Sequence, residues 1–194
     1  MEHASEELIR AALHDLANTL SGIQGILDLS DPARPLSIRD RDRLAAVLSE
    51  GHVTLTRARS LAMEALPAEG REPGLDWVAK LQEQLAPLGV LFRSRTEVFC
   101  GSPEMPGPRL RGFAHAMARL LLPYAAEDGL KITGEAGKDG WVLCFEPAAA
   151  LPEALEPSGA KPRDIAGRWA RRLGESLEAR YEVGGEVLRV TGRF

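Results

Sequence analysis

The 194-residue chain is poor in aromatic residues (5%), in cysteine (two) and in long apolar runs. Cys100 and Cys144 are too few for a disulfide framework and lack metal-ligand spacing, so neither a stapled scaffold nor a structural metal site is expected. No stretch approaches the ~20 apolar residues of a membrane helix. No charged start followed by an apolar core and a small-residue cleavage site opens the chain, and a cytoplasmic location is the expectation. An excess of positive charge is missing as well: 24 Lys and Arg against 28 Asp and Glu give a net charge of -4. That balance provides no footprint for nucleic acid or an anionic membrane. With few aromatics, the core must come from Leu, Ala, Val and Ile, which suits helix packing better than a large sandwich.

What is present divides in two. From Ala4 to about Leu29 there is no proline, and Leu8, Ala12, Leu16, Leu20, Ile23 and Leu27 recur at steps of three and four, the period of an amphipathic helix. Ser30-Asp31-Pro32-Ala33-Arg34-Pro35 ends it, and Ser37 is placed to cap a second helix running to about Leu66. Two helices of that size are each ~40 Å long and, joined by a short connector, form an antiparallel hairpin. Such a hairpin leaves apolar surface uncovered, and a second copy is the simplest cover, so a homodimeric four-helix bundle is predicted. Gly22 and Gly25, which cost helix stability, are expected at the close approach of another helix.

Residues 67–74, rich in Pro, Gly and charge, read as a linker between a hairpin at 1–66 and a second domain at 75–194. In that domain the pattern predicts a helix over 76–86, an extended run over 90–99 and a helix over 110–125. A hairpin follows, with strands at 130–135 and 141–145 turning at Gly137 to Gly140. A helix over 163–176 and strands over 177–183 and 186–193 complete an α+β layer.

The first helix carries Leu13-His14-Asp15-Leu16-Ala17-Asn18-Thr19-Leu20-Ser21-Gly22-Ile23. This resembles the phosphoacceptor box of two-component histidine kinases, in which a His is followed by an acid and, at the fourth place, by Asn or Thr. The order of elements in the second domain is similar to that of the kinase ATP-binding domain, a Bergerat-type α/β sandwich. Its motifs are eroded: alignment puts Arg119 and Pro123 where two nucleotide-holding asparagines belong, and neither can hold magnesium. After the strand at 141–145, Glu146-Pro147-Ala148-Ala149-Ala150 has alanines where the family needs glycines for close backbone approach. No glycine-rich lid is found around 156–160. The resemblance therefore implies a degenerate ATPase domain that binds no ATP, attached to an intact phosphoacceptor helix. His14 lies so near the first residue that no input domain is expected ahead of it.

The combination is similar to dimeric histidine phosphotransferases built like a histidine kinase core. It implies a phosphorelay role without autonomous kinase activity, with response-regulator receiver domains and a hybrid histidine kinase as partners. His14, Asp15 and Asn18 are the candidate catalytic residues. A histidine's ordinary pKa of ~6.5 leaves a neutral nucleophile near pH 7. Asp15 is adjacent and suited to accept a hydrogen bond from one ring nitrogen, freeing the other to attack. Asn18 is one turn on, on the same face, suited to bind phosphoryl oxygens or to place a water. No cofactor or metal site is expected in the chain itself, and magnesium would arrive with the receiver. A non-catalytic dimeric scaffold that binds response regulators, and a response-regulator phosphatase using Asp15 and Asn18, are the alternatives.

Overall fold

A computed structural model describes residues 2–30, 34–125, 129–148 and 164–193, with the side chains of 2–5 left aside. Helices α1 (Glu2–Asp28) and α2 (Ile38–Ala62) form the hairpin. Ser37 caps α2 as its residue type predicts: its backbone is extended, and its Oγ accepts the Asp40 N–H at 3.1 Å. The helix ends at Ala62, short of the predicted Leu66. The two helices come close at Gly51, where a Cβ would come within 2.9 Å of Thr19 Cγ2. Within the hairpin the glycines of α1 do not play that part. A Cβ on Gly22 would make ordinary contact with Val47 at 3.6 Å, and one on Gly25 would meet nothing within 4 Å.

The stretch 67–74, read as a linker, is pinned instead. Arg71–Pro73 form strand β1, antiparallel to β3 (Glu104–Pro106), and Gly74 already opens helix α3 (Gly74–Phe92). Glu72 is held by Lys80 at 2.8 Å and by Arg111, and Arg109 donates to the Pro67 carbonyl at 3.3 Å and to Glu69 at 2.7 Å. The arginines that fasten this stretch lie some forty positions away in helix α4 (Pro108–Leu121). Helix α3 also runs past Pro87 to Phe92, beyond the predicted stop at 86 and into the predicted extended run. Proline costs one helical hydrogen bond, but Leu85 and Leu88 on either side of it are fully buried, and that packing carries the helix through.

Strands β2 (Thr96–Cys100), β4 (Leu130–Ala136), β5 (Trp141–Glu146), β6 (Arg180–Gly184) and β7 (Val187–Gly192) form one mixed sheet in the order β2-β4-β5-β7-β6. β2 and β4 are parallel with α4 in their crossover, and the other pairs are antiparallel. The turn between β4 and β5 closes with Gly137 N–H to the Gly140 carbonyl at 2.8 Å, at the predicted site. Alternate residues face the core. Leu130, Ile132, Trp141, Leu143, Phe145, Leu188 and Val190 are buried beneath α3, α4 and helix α5 (Ile165–Ser176), while Lys131, Glu135 and Arg189 point to solvent. The architecture is α+β, as predicted. The predicted erosion at 149–150 and the 156–160 loop lie outside the described residues.

Candidate active site

His14 sits at mid-length on α1 with its side chain 61% exposed. Its Nδ1 is 3.1 Å from Asp15 Oδ1 and 3.4 Å from the amide nitrogen of Asn18, so the three predicted residues form one contiguous group. A ring nitrogen cannot both donate to the carboxylate and accept from the amide. The carboxylate contact is the shorter and the charged one, which favours the proton on Nδ1. Asp15 is only 16% exposed, because its Oδ2 accepts the Ile165 N–H of α5 at 2.9 Å. Thr19 returns its hydroxyl to the Asp15 carbonyl one turn back at 2.9 Å.

Behind this group, a cavity of about 400 Å³ lies between the hairpin and the sheet domain. Asp15, Asn18, Glu50, Arg57, Arg119 and Pro123 are among the residues that line it. The Arg119 guanidinium lies over the Phe92 ring at 4.7 Å from its centroid and 3.9 Å from Glu50, and Pro123 is in a short 3-10 turn at the end of α4.

The cavity floor holds a charged network that sequence reasoning missed. Arg57 of α2 is buried and donates from Nη2 to His115 Nδ1 on α4; His115 Nε2 donates to the Gln84 carbonyl of α3 at 3.0 Å. Both ring nitrogens are thus committed, and the imidazole is neutral. Burial, with Arg57 beside it, pushes the His115 pKa down to about 3. Burial likewise lowers Arg57 to about 10 and raises the Glu50 carboxyl above its usual range, with Arg57 and Arg119 pulling it back. Glu50 and Arg57 are seven residues apart on one face of α2, a spacing that could have flagged them. His115 had no neighbour in sequence to single it out. His52, by contrast, is exposed, and Cys144 is half-buried with its thiol pushed up by burial. Among the described residues no group of His, Cys, Asp and Glu is arranged to hold a metal ion, and no helix is long and apolar enough to cross a membrane.

No protein-family profile matches the chain, and no curated protein sequence does either. Solved structures do. The histidine kinase AdeS of Acinetobacter baumannii aligns over 93% of this chain and 97% of its own, at 16% identity and a TM-score of 0.58. A bacterial phosphotransferase aligns over 97% of this chain and 94% of its own, at 15% identity and a TM-score of 0.55. At such identities the likeness speaks for the fold: this chain has the fold shared by a histidine kinase and a phosphotransferase, from the helical hairpin through to the last strand.

Proposed function

We propose that this protein is a histidine-containing phosphotransferase of a two-component phosphorelay, receiving a phosphoryl group from one receiver aspartate and passing it to another through His14. The observation that carries the reading is the exposed His14 imidazole with Asp15 on Nδ1, which leaves Nε2 uncommitted to the carboxylate and available as the nucleophile. In the forward step Nε2 attacks phosphorus, the N–P bond forms, the P–O bond to the receiver breaks, and the aspartate leaves as a carboxylate. Transfer of this kind depends chiefly on alignment and charge neutralisation. The magnesium for it comes with the receiver. ATP has no part, since Arg119 and Pro123 replace the residues that would hold its magnesium.

The protein works as a homodimer in this reading. Leu13 (60% exposed), Leu20 (65%) and Leu27 (46%) repeat every seven residues on α1, and Leu48 and Leu55 do so on α2. Large aliphatic side chains at heptad spacing on a solvent face are the seam of a helical bundle, and a two-fold copy closes it. The chain's fold, its acidic balance and its exposed histidine all suit a cytoplasmic partner of receiver domains.

Incubation with a phosphorylated receiver domain should yield an acid-labile phosphoprotein that is lost in His14→Ala. Absence of label on the wild type with every receiver of the host would leave the scaffold reading. Phosphate release that survives His14→Ala and disappears in Asn18→Ala would make the protein a phosphatase instead.

A further inference from the structure

Two partners compete for His14 Nδ1, and they demand opposite tautomers. The Asp15 carboxylate at 3.1 Å needs a proton on Nδ1; the Asn18 amide nitrogen at 3.4 Å needs a lone pair there. In the first case Nε2 is a nucleophile. In the second Nε2 carries the proton and cannot attack. An imidazole without a fixed acceptor at Nδ1 prefers to protonate Nε2, so the position of the Asp15 carboxylate decides which state the site is in.

That carboxylate is held from outside the hairpin. Its Oδ2 accepts the N–H of Ile165, the first residue of α5, at 2.9 Å. Asp164 caps the same helix through the Gly167 N–H at 2.6 Å, which leaves the Ile165 N–H for Asp15. A negative group at a helix start is favoured by the helix dipole, and a charge-assisted bond to a backbone donor is directional. Farther along α5, Arg168 reaches Glu7 of α1 at 3.9 Å, and Arg57 joins His115 on the other side of the cavity. The sheet domain is therefore seated where its helix start can hold Asp15.

We propose that the Ile165 backbone N–H is a positioning group for the phosphoacceptor: by fixing Asp15 it keeps His14 in the Nδ1–H tautomer, so docking of the sheet domain keeps Nε2 nucleophilic. The inference rests on the phosphotransfer reading for its function, and on geometry alone for the tautomer. Proline is accommodated at the first position of a helix, where it removes the N–H. Asp164, at φ -104° and ψ 161°, already has the backbone that precedes proline. Ile165→Val keeps the N–H and removes one methylene, and so controls for the packing of this buried side chain.

In two-bond 1H–15N spectra of the full-length protein, His14 should show protonated Nδ1 in the wild type and in Ile165→Val. It should shift toward protonated Nε2 in Ile165→Pro, with phosphoryl acceptance slowed about tenfold, the loss expected for one charge-assisted hydrogen bond. An unchanged tautomer in folded Ile165→Pro, or an equal loss in Ile165→Val, overturns the proposal. If Ile165→Pro does not fold, Asp15→Ala reads the same bond from its other end. There the Ile165 amide should exchange faster and the His14 proton should move to Nε2; no change in either overturns it. A tautomer that shifts as expected in a protein that no receiver phosphorylates supports the positioning role and overturns the phosphotransfer reading instead.

Discussion

The hairpin and the sheet domain solve the same problem in opposite ways. In the sheet domain Trp77, Phe113, Ile132, Leu143 and Phe145 are sealed from solvent, with Phe113 tilted against Trp141 and Tyr181 at centroid distances of 6.1 and 6.5 Å. In the hairpin, among the described residues, only Ala11, Ile26 and Ala46 are buried apolar residues, and Leu13, Leu20, Leu27, Leu48 and Leu55 stand exposed. What α2 buries instead is charge, Glu50 and Arg57, against the other domain. One region is held by its own core. The other is held by its neighbours, through ion pairs and hydrogen bonds on one side and, in our reading, a second hairpin on the other.

This contrast can be broken or sharpened by substitution. The largest effect is expected from Phe113→Ala, which removes a ring from the sealed core and should cost ~3 to 5 kcal/mol in chemical denaturation. A cost below ~1 kcal/mol would mean that this core is not what holds the domain. Next comes Arg57→Ala. It strands Glu50 and the His115 lone pair, and a loss of ~3 kcal/mol is expected, with faster hydrogen exchange at the start of α5. Arg57→Met should recover part of it, because packing returns without the charge.

Acid should act on the same network. His115 has a folded pKa of about 3 against an ordinary 6.5, so between those values only the unfolded or undocked chain takes up a proton. The stabilisation is fully present above ~6.5 and declines as pH falls toward ~3. Glu50 works against this slope just above its ordinary 4.5, because its raised pKa favours proton uptake by the folded form. His115→Gln should flatten the stability profile between pH 6.5 and 4.5, and an unchanged slope in urea titrations would assign the effect elsewhere. The smallest effects belong to the hairpin. Ser37→Ala should cost ~1 kcal/mol through the lost cap. Leu20→Ala should leave the folding of a single copy within ~0.5 kcal/mol of wild type while weakening the dimer, visible as a fall in mass by light scattering at low micromolar protein.

Local signals were read correctly where local physics decides. Ser37 caps a helix because a short hydroxyl side chain reaches the N–H three residues on, whatever the rest of the chain does. Gly137 to Gly140 turn because the flanking strands alternate and the glycines permit it. Contacts between distant partners leave no such local signal. The linker composition of 67–74 gives no sign of Arg109 and Arg111, which hold it, and Pro87 gives no sign of Leu85 and Leu88, whose burial carries the helix past it. His115, a solitary histidine in sequence, is bonded across 58 positions to Arg57.

The sequence alone determined the order of the longer elements, the amphipathic hairpin and the placing of His14 and Asn18 on one helix face beside Asp15, because residues four apart on a helix are neighbours by geometry. The tertiary structure decided what those residues can do. It put the Ile165 N–H on the free oxygen of Asp15 and assembled the buried Arg57–His115 pair. Hydrogen bonds between groups 58 or 150 residues apart leave no periodic trace in a chain and exist only once it has folded.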